Sequence, residues 1–283
     1  MILSELVQQT ISRFVQVSIA NPRLDAELLI AHFTGLNRLK INLHSKDQIS
    51  EHTLLQIENA VSRRMNHEPI QYILGETEFY GIPLKVNATV LIPRPETELL
   101  VERIVTENYL VKSILEIGTG SGCLAIALKM LLPQAKIMAS DISSSALKIA
   151  RHNAIANKAK IAFLQSDLWE NIAGKFDLIV SNPPYIPQNE YDELPNEIKR
   201  FEPQSALLAQ EEGIYFYRRI LEKAAEYLTE NGIIYFEIGY NLAEKIKNTA
   251  RQNGFEKVEV YRDLNGFERM MRIEKTCHHN CLV

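Results

Sequence analysis

Asn182-Pro183-Pro184-Tyr185 follows directly on the apolar run Phe176-Asp177-Leu178-Ile179-Val180-Ser181. A rigid turn of this composition offers a side-chain carbonyl, a main-chain carbonyl and an aromatic ring to a planar NH2 group. Upstream, Glu116-Ile117-Gly118-Thr119-Gly120-Ser121-Gly122 reads as a glycine-rich loop between a strand and a helix. An amide nitrogen is a poor nucleophile because its lone pair is delocalised, a resonance reflected in a rotation barrier of about 18–20 kcal/mol. Acceptors on both of its N–H groups would orient it, and holding two reactants in line is worth roughly 7–11 kcal/mol. Together the turn and the loop suggest methyl transfer to an amide or amine nitrogen. Pro-Pro turns also serve as plain strand terminators, but the position after a strand of a ligand-binding sheet favours the chemical reading.

Glycines at 118, 120 and 122 let a backbone turn sharply and let a ligand approach it. The dinucleotide spacing Gly-x-Gly-x-x-Gly fails at its third glycine. Asp141 ends the run Met138-Ala139-Ser140-Asp141, where a carboxylate can accept both hydroxyls of a ribose. Asp167, in Ser166-Asp167-Leu168-Trp169, closes the next apolar run, and its carboxylate and the following Trp169 are placed to address the edge and face of an adenine. Each acid taken singly reads as a helix cap or loop charge, but three sites at the ends of three successive strands match where open sheets bind ligands. None of the seven histidines falls within these motifs.

The elements that must carry these residues are legible from periodicity. The first 75 or so residues read as helices: Leu3, Leu6, Val7, Ile11, Phe14 and Val15 recur at helical spacing, Asn21-Pro22 opens a second helix that Gly35 can end, and Leu54, Ile57, Val61 and Met65 mark a third. Phe79, Tyr80, Ile82, Leu84, Val86, Val90 and Leu91 favour extended structure, read as a β-hairpin linker over 76–92. Beyond Lys112, strands at 113–117, 136–140, 161–165, 176–181 and 232–238 alternate with helices, which predicts an α/β doubly wound parallel sheet. Runs at 257–261 and 268–273, joined by Asp263-Leu264-Asn265-Gly266, predict an antiparallel hairpin at its edge. The expected organisation is thus a helical recognition domain over 1–75, the linker, a catalytic domain over 93–275 and a tail over 276–283.

Composition excludes several classes. With 46% hydrophobic and 23% charged residues in 283, neither disorder nor a fibre is indicated. A formal net charge of -4 creates no global field for nucleic acid. No apolar run approaches the roughly 18 residues of a membrane span and no leader pattern opens the chain, so a cytoplasmic protein is expected. Three cysteines make no disulfide framework; Cys123 reads as a small apolar residue starting a helix.

The glycine loop, the acidic ends of the second and third strands and the Asn-Pro-Pro-Tyr after the fourth together resemble a class I S-adenosylmethionine-dependent methyltransferase. That resemblance implies the sheet order 3-2-1-4-5-7-6 with strand seven antiparallel. Asn-Pro-Pro-aromatic turns occur in enzymes that methylate adenine N6, cytosine N4 and glutamine N5, so further residues must narrow the acceptor. The runs Asn21-Pro22-Arg23-Leu24-Asp25-Ala26-Glu27-Leu28-Leu29, His67-Glu68-Pro69-Ile70-Gln71-Tyr72-Ile73-Leu74-Gly75, Glu78-Phe79-Tyr80-Gly81, Pro93-Arg94-Pro95-Glu96-Thr97-Glu98 and Phe201-Glu202-Pro203 are similar to the bacterial peptide chain release factor glutamine N5-methyltransferases. This similarity spans about residues 1–275. It implies methylation of the glutamine in the Gly-Gly-Gln loop of class 1 release factors, with the helical domain gripping that partner. It also implies that Gly118, Thr119, Gly120, Ser121, Gly122, Asp141, Trp169 and Asn182 bind S-adenosylmethionine, that Asn182, Pro183, Pro184 and Tyr185 bind the glutamine, and that Glu96 and Thr97 lie near the methionine part of the cofactor. A monomer is expected.

The tail Thr276-Cys277-His278-His279-Asn280-Cys281-Leu282-Val283 departs from the family; its spacing is weak for zinc, and no metal site is expected. Two other readings compete. An adenine N6-methyltransferase would want a basic recognition domain, yet residues 1–90 hold eight Lys and Arg against nine Asp and Glu. A protein binding S-adenosylmethionine without turnover has no physical need for amide-orienting acceptors.

Overall fold

The computed structural model describes residues 1–108 and 110–275. The described residues divide into two compact units, one of Met1–Glu76 with Pro195–Phe201, the other of Thr77–Leu194 with the described residues from Glu202 to Lys275.

The first unit contains α1 (Leu3–Gln16), α2 (Pro22–Thr34), α3 (Glu51–Met65) and α4 (Ile70–Leu74). Their apolar faces meet in one cluster that includes Leu3, Leu6, Phe14, Leu29, Ile30, Ile57 and Val61. Asn21 and Pro22 open α2 as expected, but the Asn21 side chain makes no capping bond, whereas Gly35 ends the helix in the left-handed region at φ 69°. Arg64 is buried on α3 and ion-pairs with the buried Asp25 at 2.7 Å, and with Glu197 of the returning 195–201 segment at 3.2 Å.

Next along the chain comes a hairpin of β1 (Glu76–Phe79) and β2 (Ile82–Lys85). Tyr80 and Gly81 both take positive φ, the conformation of a tight two-residue turn. The expected extended character up to residue 92 is not all strand. Asn87 folds back on itself, its Oδ1 accepting from the Thr89 N–H at 2.9 Å and hydroxyl at 2.6 Å, and the chain from Val86 runs as irregular backbone towards Pro93.

From there the chain builds α5 (Pro95–Glu107), β3 (Ser113–Ile117), α6 (Cys123–Leu131), β4 (Lys136–Asp141), α7 (Ser144–Ala156), β5 (Ile161–Gln165) and β6 (Phe176–Ser181). After α8 (Gln188–Glu193) and α9 (Asn196–Phe201) come α10 (Tyr215–Tyr227), β7 (Leu228–Glu237), α11 (Ala243–Gln252), β8 (Lys257–Arg262) and β9 (Glu268–Glu274). The seven-stranded sheet has the order β5-β4-β3-β6-β7-β9-β8, parallel except for β9, which is antiparallel to both neighbours. This is the 3-2-1-4-5-7-6 order that the resemblance implies.

Alternation along the strands explains the layering. Ile114, Leu178, Val180 and Tyr235 point into a cluster with α5, α6 and the β1–β2 hairpin, while Leu115, Ile179, Ile234 and Phe236 point into another with α10 and α11. A strand buried on both faces has no polar side to alternate with, hence the near-continuous apolar runs. The edge hairpin turns at Gly266, with Asp263 Oδ1 accepting from the Asn265 and Phe267 N–H groups. Among the described residues no helix is long and apolar enough to cross a membrane, and no cluster of three or more His, Cys, Asp or Glu forms a metal site. The Cys/His tail lies outside the described residues.

Candidate active site

The carboxyl ends of β3, β4, β5 and β6 open onto one cleft of about 330 Å³. This is where parallel strands end, helices begin and backbone amides are left without sheet partners. Its floor is the β3–α6 loop. Gly118 and Thr119 N–H both donate to the Ser140 carbonyl, at 2.8 and 2.9 Å, which ties the loop to β4. Gly118 and Gly120 have positive φ of 77° and 54°, and open space lies where their side chains would be. Gly122 has a different task. It lies outside the cleft lining, and a Cβ there would meet Ala150 of α7 at 3.1 Å, so its absence lets α6 approach α7.

Two carboxylates face the loop. Asp141 accepts from the Gly120 N–H and the Ser143 N–H, each at 2.8 Å, and burial pushes its carboxyl up from the ordinary value. Glu116 is buried in the cleft, accepts from the Thr119 hydroxyl at 2.6 Å, and is pushed up to about 8 by burial, opposed by the Thr119 bond and aided by the nearby Asp141 charge. Among the described residues the charged group acting on it is the anion Asp141. A buried carboxyl with acceptor capacity and no counter-charge suits a ligand ammonium.

The far wall is apolar. Ile142, Leu168, Phe216 and Ile220 line it, with Asp167 at its rim, where Arg219 approaches at 3.5 Å. Trp169 does not line the cleft. It is buried in the sheet–α10 core, stacked on Tyr227 at 4.5 Å, with its Nε1 donating to the Arg219 carbonyl. Turning so large a ring inward removes more apolar surface from water than the cleft edge would. The ring at the cleft is Phe216, which the sequence reading missed; its signal was the i, i+4 pair Phe216/Ile220 on α10.

On the β6 side, the Ser181 hydroxyl donates to the Ile117 carbonyl at 2.7 Å and locks the strand end to β3. Asn182, Pro183 and Pro184 line the cleft. The Asn182 amide donates through Nδ2 to Thr97 Oγ1 at 3.4 Å, and Thr97 donates to the buried Glu237 at 2.6 Å. Glu96 is not among the cleft residues, whereas Thr97 is. Tyr185 lies just beyond the lining, its ring edge 3.2 Å from where a Gly239 Cβ would be and its carbonyl 2.5 Å from where a Gly213 Cβ would be. Burial, with the Glu237 charge next, raises its hydroxyl well above the ordinary value, so it stays protonated. The chain leaving the turn is pinned by Ile186 N–H to the Leu207 carbonyl and Ala209 N–H to the Ile186 carbonyl, at 2.9 and 2.8 Å.

The raised carboxyls carry a stability consequence. Glu237 is pushed up to about 7, chiefly by burial, so both it and Glu116 bind protons more tightly folded than unfolded. The stabilisation from this source is complete below about pH 4.5 and is lost as pH rises through about 7 and about 8. Carboxyls with lowered values, such as Asp177 and Glu274, act in the opposite sense below that window. The melting temperature of the ligand-free protein is therefore expected to fall between about pH 4.5 and 8, and to fall less in Glu116→Gln. Equal slopes for the two proteins in a calorimetric pH series would count against a proton held on Glu116.

The residues present fit S-adenosylmethionine: carboxylates for ribose hydroxyls and an ammonium, glycines that let backbone approach, and an apolar wall for a base. Residues 5–75 match the PrmC N-terminal domain family and residues 95–201 the methyltransferase small domain family. The chain is 39% identical over 279 residues to the release factor glutamine methyltransferase of Chlorobaculum tepidum, covering 94% of each chain. It is 40% identical over 266 residues to the enzyme of the same name from Haemophilus influenzae, covering 88% of this chain and 90% of that one. Among solved structures, a methyltransferase from Pyrococcus furiosus superposes with a TM-score of 0.56 at 18% identity, over 77% of this chain and 98% of that one, a likeness of fold.

Proposed function

Since this chain belongs to the release factor glutamine methyltransferase family, we propose that it transfers a methyl group from S-adenosylmethionine to the side-chain amide N5 of the glutamine in the Gly-Gly-Gln motif of class 1 release factors. The observation that carries this is the placement of Asn182, Pro183 and Pro184 on the same cleft as Gly118, Gly120 and Asp141. A cofactor pocket and an amide-sized acceptor turn therefore share one space.

Bound S-adenosylmethionine supplies an electrophilic methyl on a sulfonium. In our reading Asp141 accepts the ribose hydroxyls, Glu116 holds the ammonium, Gly118 to Ser121 approach through their backbone, and Phe216, Ile220 and Leu168 cover the base. Asn182 Oδ1 and the Pro183 carbonyl accept the two N–H groups of the glutamine amide and aim its nitrogen. Tyr185, protonated and clamped between Gly213 and Gly239, gives the turn a rigid back and a ring for the acceptor plane. The nitrogen that has taken the methyl is a strongly acidic N-protonated amide, and it gives its proton to water. The helical unit takes the body of the release factor; with eight cationic against nine anionic side chains over residues 1–90, stable nucleic acid binding is not part of this reading.

Mass spectrometry of a recombinant class 1 release factor, after incubation with this protein and S-adenosylmethionine, tests it. One added methyl on the Gly-Gly-Gln glutamine is expected. No added methyl while cofactor binding is intact would sink the assignment and turn attention to adenine in nucleic acid.

A further inference from the structure

Beneath the acceptor turn lies a buried carboxyl that the mechanism above does not use. Glu237 ends β7 with only 3% of its surface exposed, and its Oε2 accepts the Thr97 hydroxyl proton at 2.6 Å. Thr97 belongs to α5 and Asn182 follows β6, so three elements far apart in the chain meet at one point.

The hydrogen-bond inventory leaves little choice about what this cluster does. A carboxylate only accepts, and a hydroxyl has one proton. Thr97 gives that proton to Glu237, so towards Asn182 its oxygen can only accept. The Asn182 amide also acts on Glu237 itself, favouring its charged form. Of its two ends, only the NH2 satisfies such surroundings; the carbonyl end would set oxygen against oxygen.

We propose that Glu237 is a positioning residue for the reaction: by drawing the Thr97 proton away from Asn182, it forces the Asn182 carboxamide to turn its NH2 inward and hold Oδ1 towards the cleft as acceptor for the substrate N–H. This rests on the amide-transfer reading above. A neutral Glu237 has a proton to give, so the acceptor-only surroundings disappear and the carboxamide loses its reason to choose. The titratable and charged groups facing Glu237 are Glu96 from α5, Arg269 from β9, Tyr185 from the turn, Tyr217 from α10 and Cys123 from α6. With burial and Glu96 outweighing Arg269, the carboxyl sits at about 7. Activity should therefore rise with pH through that region as the carboxylate forms.

The test compares wild type, Glu237→Gln, Thr97→Val and Thr97→Ser on a recombinant release factor at saturating S-adenosylmethionine. Glu237→Gln keeps size but brings its own NH2, and Thr97→Val removes the relay; each is expected to lower kcat roughly 10- to 100-fold, the rate equivalent of one orienting bond with a charged partner. Cofactor Kd by calorimetry should hold in Glu237→Gln, whose side chain lies outside the cleft lining, the pH step near 7 should vanish in that variant, and Thr97→Ser, which keeps the hydroxyl, should restore most of the rate lost in Thr97→Val. Unchanged kcat and pH profile in folded variants would overturn the proposal while leaving the glutamine reading intact. A kcat loss in Glu237→Gln matched by a loss of cofactor affinity would overturn it too, as collapse of the pocket. If Glu237→Gln does not fold, the Thr97 pair decides. Failure of wild type to methylate glutamine would remove the reading and this proposal together.

Discussion

Asn182→Ala is expected to lower kcat for release-factor methylation roughly 100- to 1000-fold, the range for removing one preorganised polar group aimed at a reacting centre. Two effects combine. The acceptor for one substrate N–H disappears, so the nitrogen is no longer aimed, and Thr97 loses the NH2 that donates to it. The fold should survive, because Asn182 contributes no apolar core; the turn is held by Ser181 to Ile117, by the Ile186–Leu207 and Ala209–Ile186 bonds and by Tyr185 against Gly213 and Gly239. Asn182→Asp is the sharper variant. It has the same shape but brings a second carboxyl to Glu237 and no N–H to donate, so it should be about as inactive. Single-turnover rates with circular dichroism as a control for folding would read this, and turnover retained in either variant would remove the amide-orienting role.

Asp141→Ala should act first on cofactor affinity. Its carboxylate holds the Gly120 N–H and the Ser143 N–H, one on the loop and one at the start of α7, and it lines the cleft where a ribose would present hydroxyls. Hydrogen bonds to a charged group are worth about 1.5–3 kcal/mol each, so losing the ribose contacts and the loop anchor should raise the Kd on the order of 100-fold or more. Asp141→Asn, which retains one acceptor oxygen, should fall between. Calorimetric titration with S-adenosylmethionine distinguishes these outcomes, and an unchanged Kd in Asp141→Ala would place the ribose elsewhere. The order of effects is informative: Asn182 variants should fail in rate and Asp141 variants in binding.

Strands were legible in the sequence because a strand buried on both faces must be apolar throughout, and β3 and β6 occupy the ranges that their apolar runs predict. The glycine loop and the Asn-Pro-Pro turn were legible because positive φ and fixed φ are properties of residue type. Val86 to Ile92 reads as strand by composition yet is irregular, since the Asn87 side chain bonds to Thr89 and turns the chain there. Trp169 shows the limit most plainly. An aromatic after an acidic strand end suits either a ligand's face or a core, and only the presence of Tyr227 and the Arg219 carbonyl decides for the core.

By itself, then, the sequence determined the order of elements, the glycine loop after β3 and the Asn-Pro-Pro turn after β6, since these follow from backbone freedom and burial over a few neighbouring residues. The tertiary structure alone decided which side chains share the cleft: that Phe216 faces it, that Gly122 packs α6 on α7, and that Glu237 stands behind Asn182. Thr97 lies 140 residues from Glu237 and 85 from Asn182. Contacts at such separations depend on how strands order in the sheet, and local spacing carries no record of that.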